Sequence, residues 1–443
     1  MGHDRVKTEA ATVSSGRYAR SEAQLERARR TIPLGAQTFS KSLTQYPQGV
    51  SPYFAARAEG SKLWDVDGSE YVDFINALCS VTLGYADPDV NAAVEKQLKD
   101  GTIFTLSHAL EADVAERICE LVPCAEAVRF GKNGSDATSG AIRIARAATG
   151  RDHVLVCGYH GWQDWYIGST ARNLGVPEAT RALTHAFPYD DLPALEARLD
   201  SLKGQVAAVI LEPMNVKFPS PGYLEGVKRL THAAGAVLVF DETITGFRYA
   251  AGGAQELFGV TPDLCTLGKG IANGFPLSAV CGRADLMRFM EEVFFSFTMG
   301  GETLSLAAAR AAMDKLKREP VIETMHARGR QLLDGAAPLV AKHGLEGVLT
   351  LAGHPSWSFL LVADAPNATA FELKTLFMQE VFARGVLAYG THNMSYAHSE
   401  ADVETLLSAY DEVFAILADG LSSPGGVKAK LRCAPLEPLF KVR

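Results

Sequence analysis

Between residues 100 and 285, short apolar runs alternate with stretches of helical spacing, and this constrains the fold more than any other feature of the chain. The runs fall at 154–157, 206–211, 236–240 and 277–281. Runs this short and this free of polar residues are expected as strands covered on both faces. The segment 222–235 is long enough to cross from one such strand to the next. Strand, helix and strand in series predict a parallel sheet built from βαβ units. Upstream, Ser61-Lys62-Leu63-Trp64-Asp65-Val66 and Glu70-Tyr71-Val72-Asp73-Phe74 flank Asp67-Gly68, the pattern of an antiparallel hairpin. A helix is expected from Ser21 to just before Pro33, after a loose arm over residues 1–20. Further helices are expected over 303–317, 370–384 and 400–418. The expected architecture is α/β. A large domain spans 76–315, and 1–75 packs with 316–443 as a smaller α+β domain.

Composition narrows the function. The net charge of −8 over 443 residues gives no basic footprint, so nucleic acid is not an expected partner. No apolar run approaches the ~18 residues of a membrane span. Residues 1–20 lack the apolar centre of a signal peptide. The seven cysteines include no C-x-x-C pair and read as buried, reduced thiols without a metal ligand set. A cytoplasmic enzyme is the expectation.

Four segments carry chemistry. The run ending at Phe240 is followed by Asp241-Glu242-Thr243. Ligands of open α/β sheets bind beyond the carboxyl ends of strands, where an Asp can face a ligand cation. Lys269 stands in Leu267-Gly268-Lys269-Gly270-Ile271, a glycine-flanked apolar setting that favours a neutral, nucleophilic amine. Asn133-Gly134-Ser135-Asp136 precedes a helical stretch, where free N–H groups and a hydroxyl suit a phosphate. Tyr159-His160-Gly161 follows the run 154–157 and offers an aromatic face to a flat ring. A helix cap, a loop lysine and a core aromatic are the plainer readings of these segments taken singly.

Taken in order, they resemble the class III aminotransferases, pyridoxal-phosphate enzymes of fold type I, and most of all the glutamate-1-semialdehyde 2,1-aminomutase branch. Glu212-Pro213, Asp241 to Arg248 and Thr298-Met299-Gly300-Gly301 extend the match, which runs from about residue 21 to 418. The resemblance implies a large domain with a mostly parallel seven-stranded sheet, and pyridoxal 5'-phosphate as cofactor. It implies that Lys269 holds the cofactor as a Schiff base and that Asp241 pairs with its pyridine nitrogen. Gly134 and Ser135 are expected at the phosphate, Tyr159 and Thr243 on the two ring faces, and Glu212 as an orienting group. His160 is expected behind these residues or in a structural role. Thr298 is expected at the phosphate of a neighbouring subunit, which requires a homodimer with active sites at the interface.

The substrate side departs from the aminomutase pattern. Lys41 stands where that branch carries an arginine for the substrate carboxylate, and keeps the charge without the planar two-point grip. Tyr389-Gly390-Thr391-His392-Asn393-Met394-Ser395-Tyr396 offers no counterpart of an active-site glutamate. Transamination between a small amino donor and an aldehyde or ketone acceptor is therefore the expected reaction, with an aminomutase as the alternative. His392, Asn393 and Tyr396 are read as candidate contacts to a hydroxylated or sugar-like acceptor, or else as a surface loop.

Overall fold

A computed structural model describes residues 16–437; most of the arm read at 1–20 lies outside the described residues. The central sheet has seven strands: β1 Ala127–Gly131, β2 His153–Cys157, β3 Thr184–Ala186, β4 Val206–Leu211, β5 Val237–Asp241, β6 Leu264–Leu267 and β7 Ser278–Gly282. Their order across the sheet is β1-β7-β6-β5-β4-β2-β3. The pairs β2–β3, β2–β4, β4–β5 and β5–β6 are parallel. β7 is not, although its sequence matched the other runs: it lies antiparallel to β1 and β6. Only residues 268–277 separate it from β6, with a single 3-10 turn at Lys269–Ala272. That is too short for the crossover a parallel neighbour needs.

Alternation along the strands builds two cores. Val154, Val156, Ala208, Ile210, Val237, Val239, Leu264 and Val280 face the helix Gly134–Thr149. Leu155, Val209, Leu211, Leu238 and Phe240 face the helices Leu192–Ser201 and Tyr223–Ala233. Adjacent residues thus serve opposite faces, the period of two that a pleated strand imposes. Each fully buried aliphatic contributes about 1.5–3 kcal/mol.

The ends of the chain share a second sheet. The hairpin Lys62–Asp65 and Glu70–Asp73 forms as expected, and Val386–Leu387 adds in parallel beside Glu70–Asp73. A third sheet joins Leu349–His354, Trp357–Val362 and Thr391–Asn393. Arg248, fully buried, ties these parts to the large sheet. Its Nη1 donates to the carbonyls of Ser356 (3.0 Å) and Met394 (2.6 Å).

Burial depresses three histidines in this region: His354 and His392 to about 3, and His398 to about 4. Each is held neutral in the fold, while the unfolded chain takes up protons below 6.5. The stability they confer is therefore complete above that value and is lost as pH falls toward 4. The urea midpoint is expected to drop between about pH 7.5 and pH 5. A midpoint that stays constant over that interval would contradict the neutral, buried state.

Candidate active site

The carboxyl ends of β5, β6 and β2 converge with the start of the helix Gly134–Thr149. Asp241, the last residue of β5, is 4% exposed. Its Oδ1 accepts from the Thr266 hydroxyl (3.0 Å) and the Thr243 N–H (3.1 Å), and its Oδ2 pairs with His160 Nδ1 (2.8 Å). Burial pushes the carboxyl up, but the His160 and Thr243 contacts outweigh it and hold the pKa below the usual value. Among the described residues, His160 is the one basic side chain within 4 Å of the Asp241 carboxylate.

Lys269 follows β6 at φ 43, left-handed backbone that a side-chain-bearing residue seldom adopts. Close by, a Cβ on Gly134 would lie 3.0 Å from Thr243 Cγ2, and one on Gly268 3.1 Å from the same atom. Gly134, Thr243 and Gly268 therefore form one cradle, open only because two of its members lack side chains. The helix start needs no help from Ser135, because Asn133 and Asp136 cap it reciprocally. The Ser135 hydroxyl accepts the Trp162 N–H (3.2 Å) and keeps its own proton to donate. Glu212, just past β4, takes the Tyr159 N–H and the Asn215 amide, each at 3.0 Å. It borders a cavity of about 640 Å³ lined by Gly158, Tyr166, Thr170, Tyr189 and Asn215.

The profile of the aminotransferase class-III family matches residues 45–398. The chain belongs to the class III aminotransferases. The glutamate-1-semialdehyde 2,1-aminomutase of Symbiobacterium thermophilum is 38% identical, covering 91% of this chain and 99% of that relative. The 3-aminobutyryl-CoA aminotransferase of Cloacimonas acidaminovorans is 32% identical, over 90% of this chain and 97% of its own. Among solved structures, the FumI protein of Sphingopyxis sp. MTA144, in its PLP internal aldimine form, superimposes with a TM-score of 0.85 at 29% identity, covering 93% of this chain and all of that one.

The cofactor of this aminotransferase is pyridoxal 5'-phosphate, and the site fits it. A buried carboxylate held ionised, with an imidazole, a hydroxyl and a backbone N–H on its oxygens, suits a protonated ring nitrogen. The glycine cradle gives a flat ring close approach, and the helix start offers N–H groups to a phosphate. Thr266 and His160 complete the carboxylate's shell. Thr266 was not singled out from sequence, although a Thr directly before Leu267-Gly268-Lys269 at a strand end was the available signal.

The substrate-side expectations fare differently. His392 is fully buried, its Nδ1 on Ser358 Oγ (2.9 Å) and its Nε2 on the Tyr410 hydroxyl (2.6 Å). Asn393, 3% exposed, turns its amide to the Ile75 carbonyl (2.5 Å). The expectation that His392 contacts an acceptor gives way, because both its ring nitrogens are engaged in packing the third sheet; Asn393 is buried beside it with its amide nitrogen engaged and its Oδ1 without a partner. Tyr396 lies beside Lys315 and Glu319 instead. Lys41 is exposed on the 3-10 turn Phe39–Lys41, and Arg172, unremarked in the sequence, lies with its guanidinium 5.3 Å from the Phe39 ring. Thr298 is exposed in an irregular segment.

Proposed function

We propose that this enzyme transfers an amino group from a small amino donor to a carbonyl acceptor in two half-reactions, with Lys269 as the amine that holds the cofactor and moves the proton. The buried Asp241 carboxylate at the end of β5, beside the cradle, is the observation that carries this reading. Bound pyridoxal phosphate supplies an aldehyde for the incoming amine and a ring that accepts electrons. Asp241 keeps the ring nitrogen protonated, Gly134 and Ser135 bind the phosphate, Tyr159 and Thr243 flank the ring, and Glu212 steadies the Tyr159 turn. The deciding assay supplies glutamate-1-semialdehyde as sole substrate. Production of 5-aminolevulinate at the rate of the best two-substrate reaction would establish the second reading, an aminomutase, which the 38% identity to one favours.

One substrate of the pair carries a carboxylate. Lys41 and Arg172 put two cations on adjoining segments, and Thr170 and Ala171, next to Arg172, line the cavity that reaches Glu212. With His392 engaged elsewhere, these cations supply positive charge beside a cavity whose own lining includes the polar Ser169, Thr170, Tyr189 and Asn215 and the cation Lys217. Lys41→Ala and Arg172→Ala are each expected to raise KM for carboxylated substrates about tenfold or more, with neutral amines little affected. Equal effects on both substrate types would remove the anion contact.

The working form is a homodimer. Thr298 lies among exposed Phe294, Phe297 and Met299, and Thr303 ties this segment to Gly101 and Thr102, ahead of exposed Ile103, Phe104 and Leu106. Exposed apolar surface of this extent marks an association face. Sedimentation of the active enzyme is expected to give the dimer mass, and Phe294→Asp to shift it toward an inactive monomer. A fully active monomer would refute the shared site. Seven free cysteines support a reducing, cytoplasmic compartment.

A further inference from the structure

We propose that Cys124, Cys265 and Cys281 form a three-thiolate site for a thiophilic ion, best suited to a trivalent metalloid such as arsenic(III). Their sulfur atoms all lie within 4.8 Å of one another, and all three residues are buried. Cys265 and Cys281 are directly opposed on β6 and β7, and Cys124 comes from the loop before β1. The hydrogen bonds of the two strand thiols are long: Cys265 Sγ reaches the Thr266 carbonyl and Cys281 Sγ the Cys265 carbonyl, each at 3.8 Å.

The reading of buried, reduced thiols without a metal ligand set missed this grouping because Cys265 and Cys281 meet through the β6–β7 register and Cys124 joins them from a loop distant in sequence. Cys265 and Thr266 are consecutive on β6 and point to opposite faces, so the thiols lie across the sheet from the hydroxyl that holds Asp241. The site is separate from the cofactor. Cys119, half-buried in the last turn of the helix Ala109–Leu121 five residues before Cys124, is the thiol through which we expect an ion to enter by exchange.

Charge selects the ion. The thiols belong to an apolar core that includes Ile118, Val122, Leu267 and Ala279. Three thiolates leave a net −2 on a monovalent ion, −1 on a divalent one and zero on a trivalent one. Uncompensated charge is costly there. Three donors also match the pyramidal geometry of arsenic(III). Binding balances as arsenous acid plus three thiols giving the tris-thiolate plus three waters. Three As–O bonds are replaced by As–S bonds, the thiol protons leave in the water, and nothing is oxidised or reduced.

The test incubates the holoenzyme with arsenite, desalts it and counts arsenic per chain by mass spectrometry, with competition by copper(I) and zinc(II). One arsenic per chain is expected. Cys281→Ala and Cys124→Ala, each checked for retained fold by circular dichroism, are expected to weaken binding by more than about a hundredfold, beyond the range of an outer-shell change. Cys157→Ser and Cys433→Ser are expected to leave it unchanged. Cys119→Ser should slow uptake and leave the final occupancy intact. No arsenic retained after prolonged incubation, or retention unaffected by both alanine variants, would overturn the site. Loss of final occupancy in Cys119→Ser would overturn the three-residue assignment, and displacement of arsenic by copper(I) would overturn the charge argument.

Discussion

Lys269→Ala is expected to abolish turnover, with a loss greater than about ten-thousand-fold, because in the proposed reaction one amine serves both as the cofactor's anchor and as the proton carrier. The fold should survive. Lys269 is half-buried, and its left-handed φ of 43 is a property of the backbone that an alanine Cβ tolerates no worse than a lysine Cβ does. The variant should still bind pyridoxal phosphate through Asp241 and the Gly134–Ser135 turn, but without a covalent link. Borohydride reduction followed by digestion separates the two states. Wild-type enzyme should yield the labelled peptide that contains Lys269, and the variant no labelled lysine. Label on a different lysine in the wild type would end the assignment. Retained turnover in a folded, cofactor-loaded variant would do the same for the proton-carrier role.

The segments proposed to hold the cofactor were legible because they are short and lie at strand ends. Asp241 follows an unbroken apolar run, Lys269 stands in a glycine-flanked loop, and Gly134-Ser135 opens a helix, so local chemistry and position in the sheet agree. The direction of β7 was not legible from its own residues, because antiparallel and parallel buried strands share one composition. It follows from the length of the connection before it. The edge strands β1 and β3 escaped for a related reason: Arg129 interrupts the apolar pattern of β1, and β3 has only three residues.

The substrate half was hardest to read. His392 and Asn393 are polar residues in a polar stretch, and sequence cannot distinguish a histidine facing a cavity from one between Ser358 and Tyr410, which are 34 and 18 residues away. Arg172 shows the converse. Nothing in its neighbourhood marks it, and its relation to Phe39 arises only when two segments distant in sequence fold together.

Asp241→Asn is expected to lower kcat by at least about a hundredfold, the scale on which removal of a preorganised electrostatic partner is felt. The amide is nearly isosteric and can still meet Thr266 and the Thr243 N–H, so cofactor affinity should fall far less than kcat. The missing element is charge. A neutral partner no longer favours the protonated ring nitrogen, and the ring then draws electrons less strongly from the reacting carbon. His160 allows a second, independent check. Burial alone pushes the Asp241 carboxyl up, and the His160 contact at 2.8 Å is the foremost influence that brings it down. His160→Phe leaves burial less opposed, so the Asp241 pKa rises and a larger fraction of the carboxyl is protonated as pH falls. Activity of that variant should therefore decline on the acid side at a higher pH than in wild type, with near-normal rates once the medium is alkaline enough to ionise Asp241. A purely structural histidine would lower the rate equally at every pH, and that flat profile would refute the role assigned to the His160–Asp241 pair.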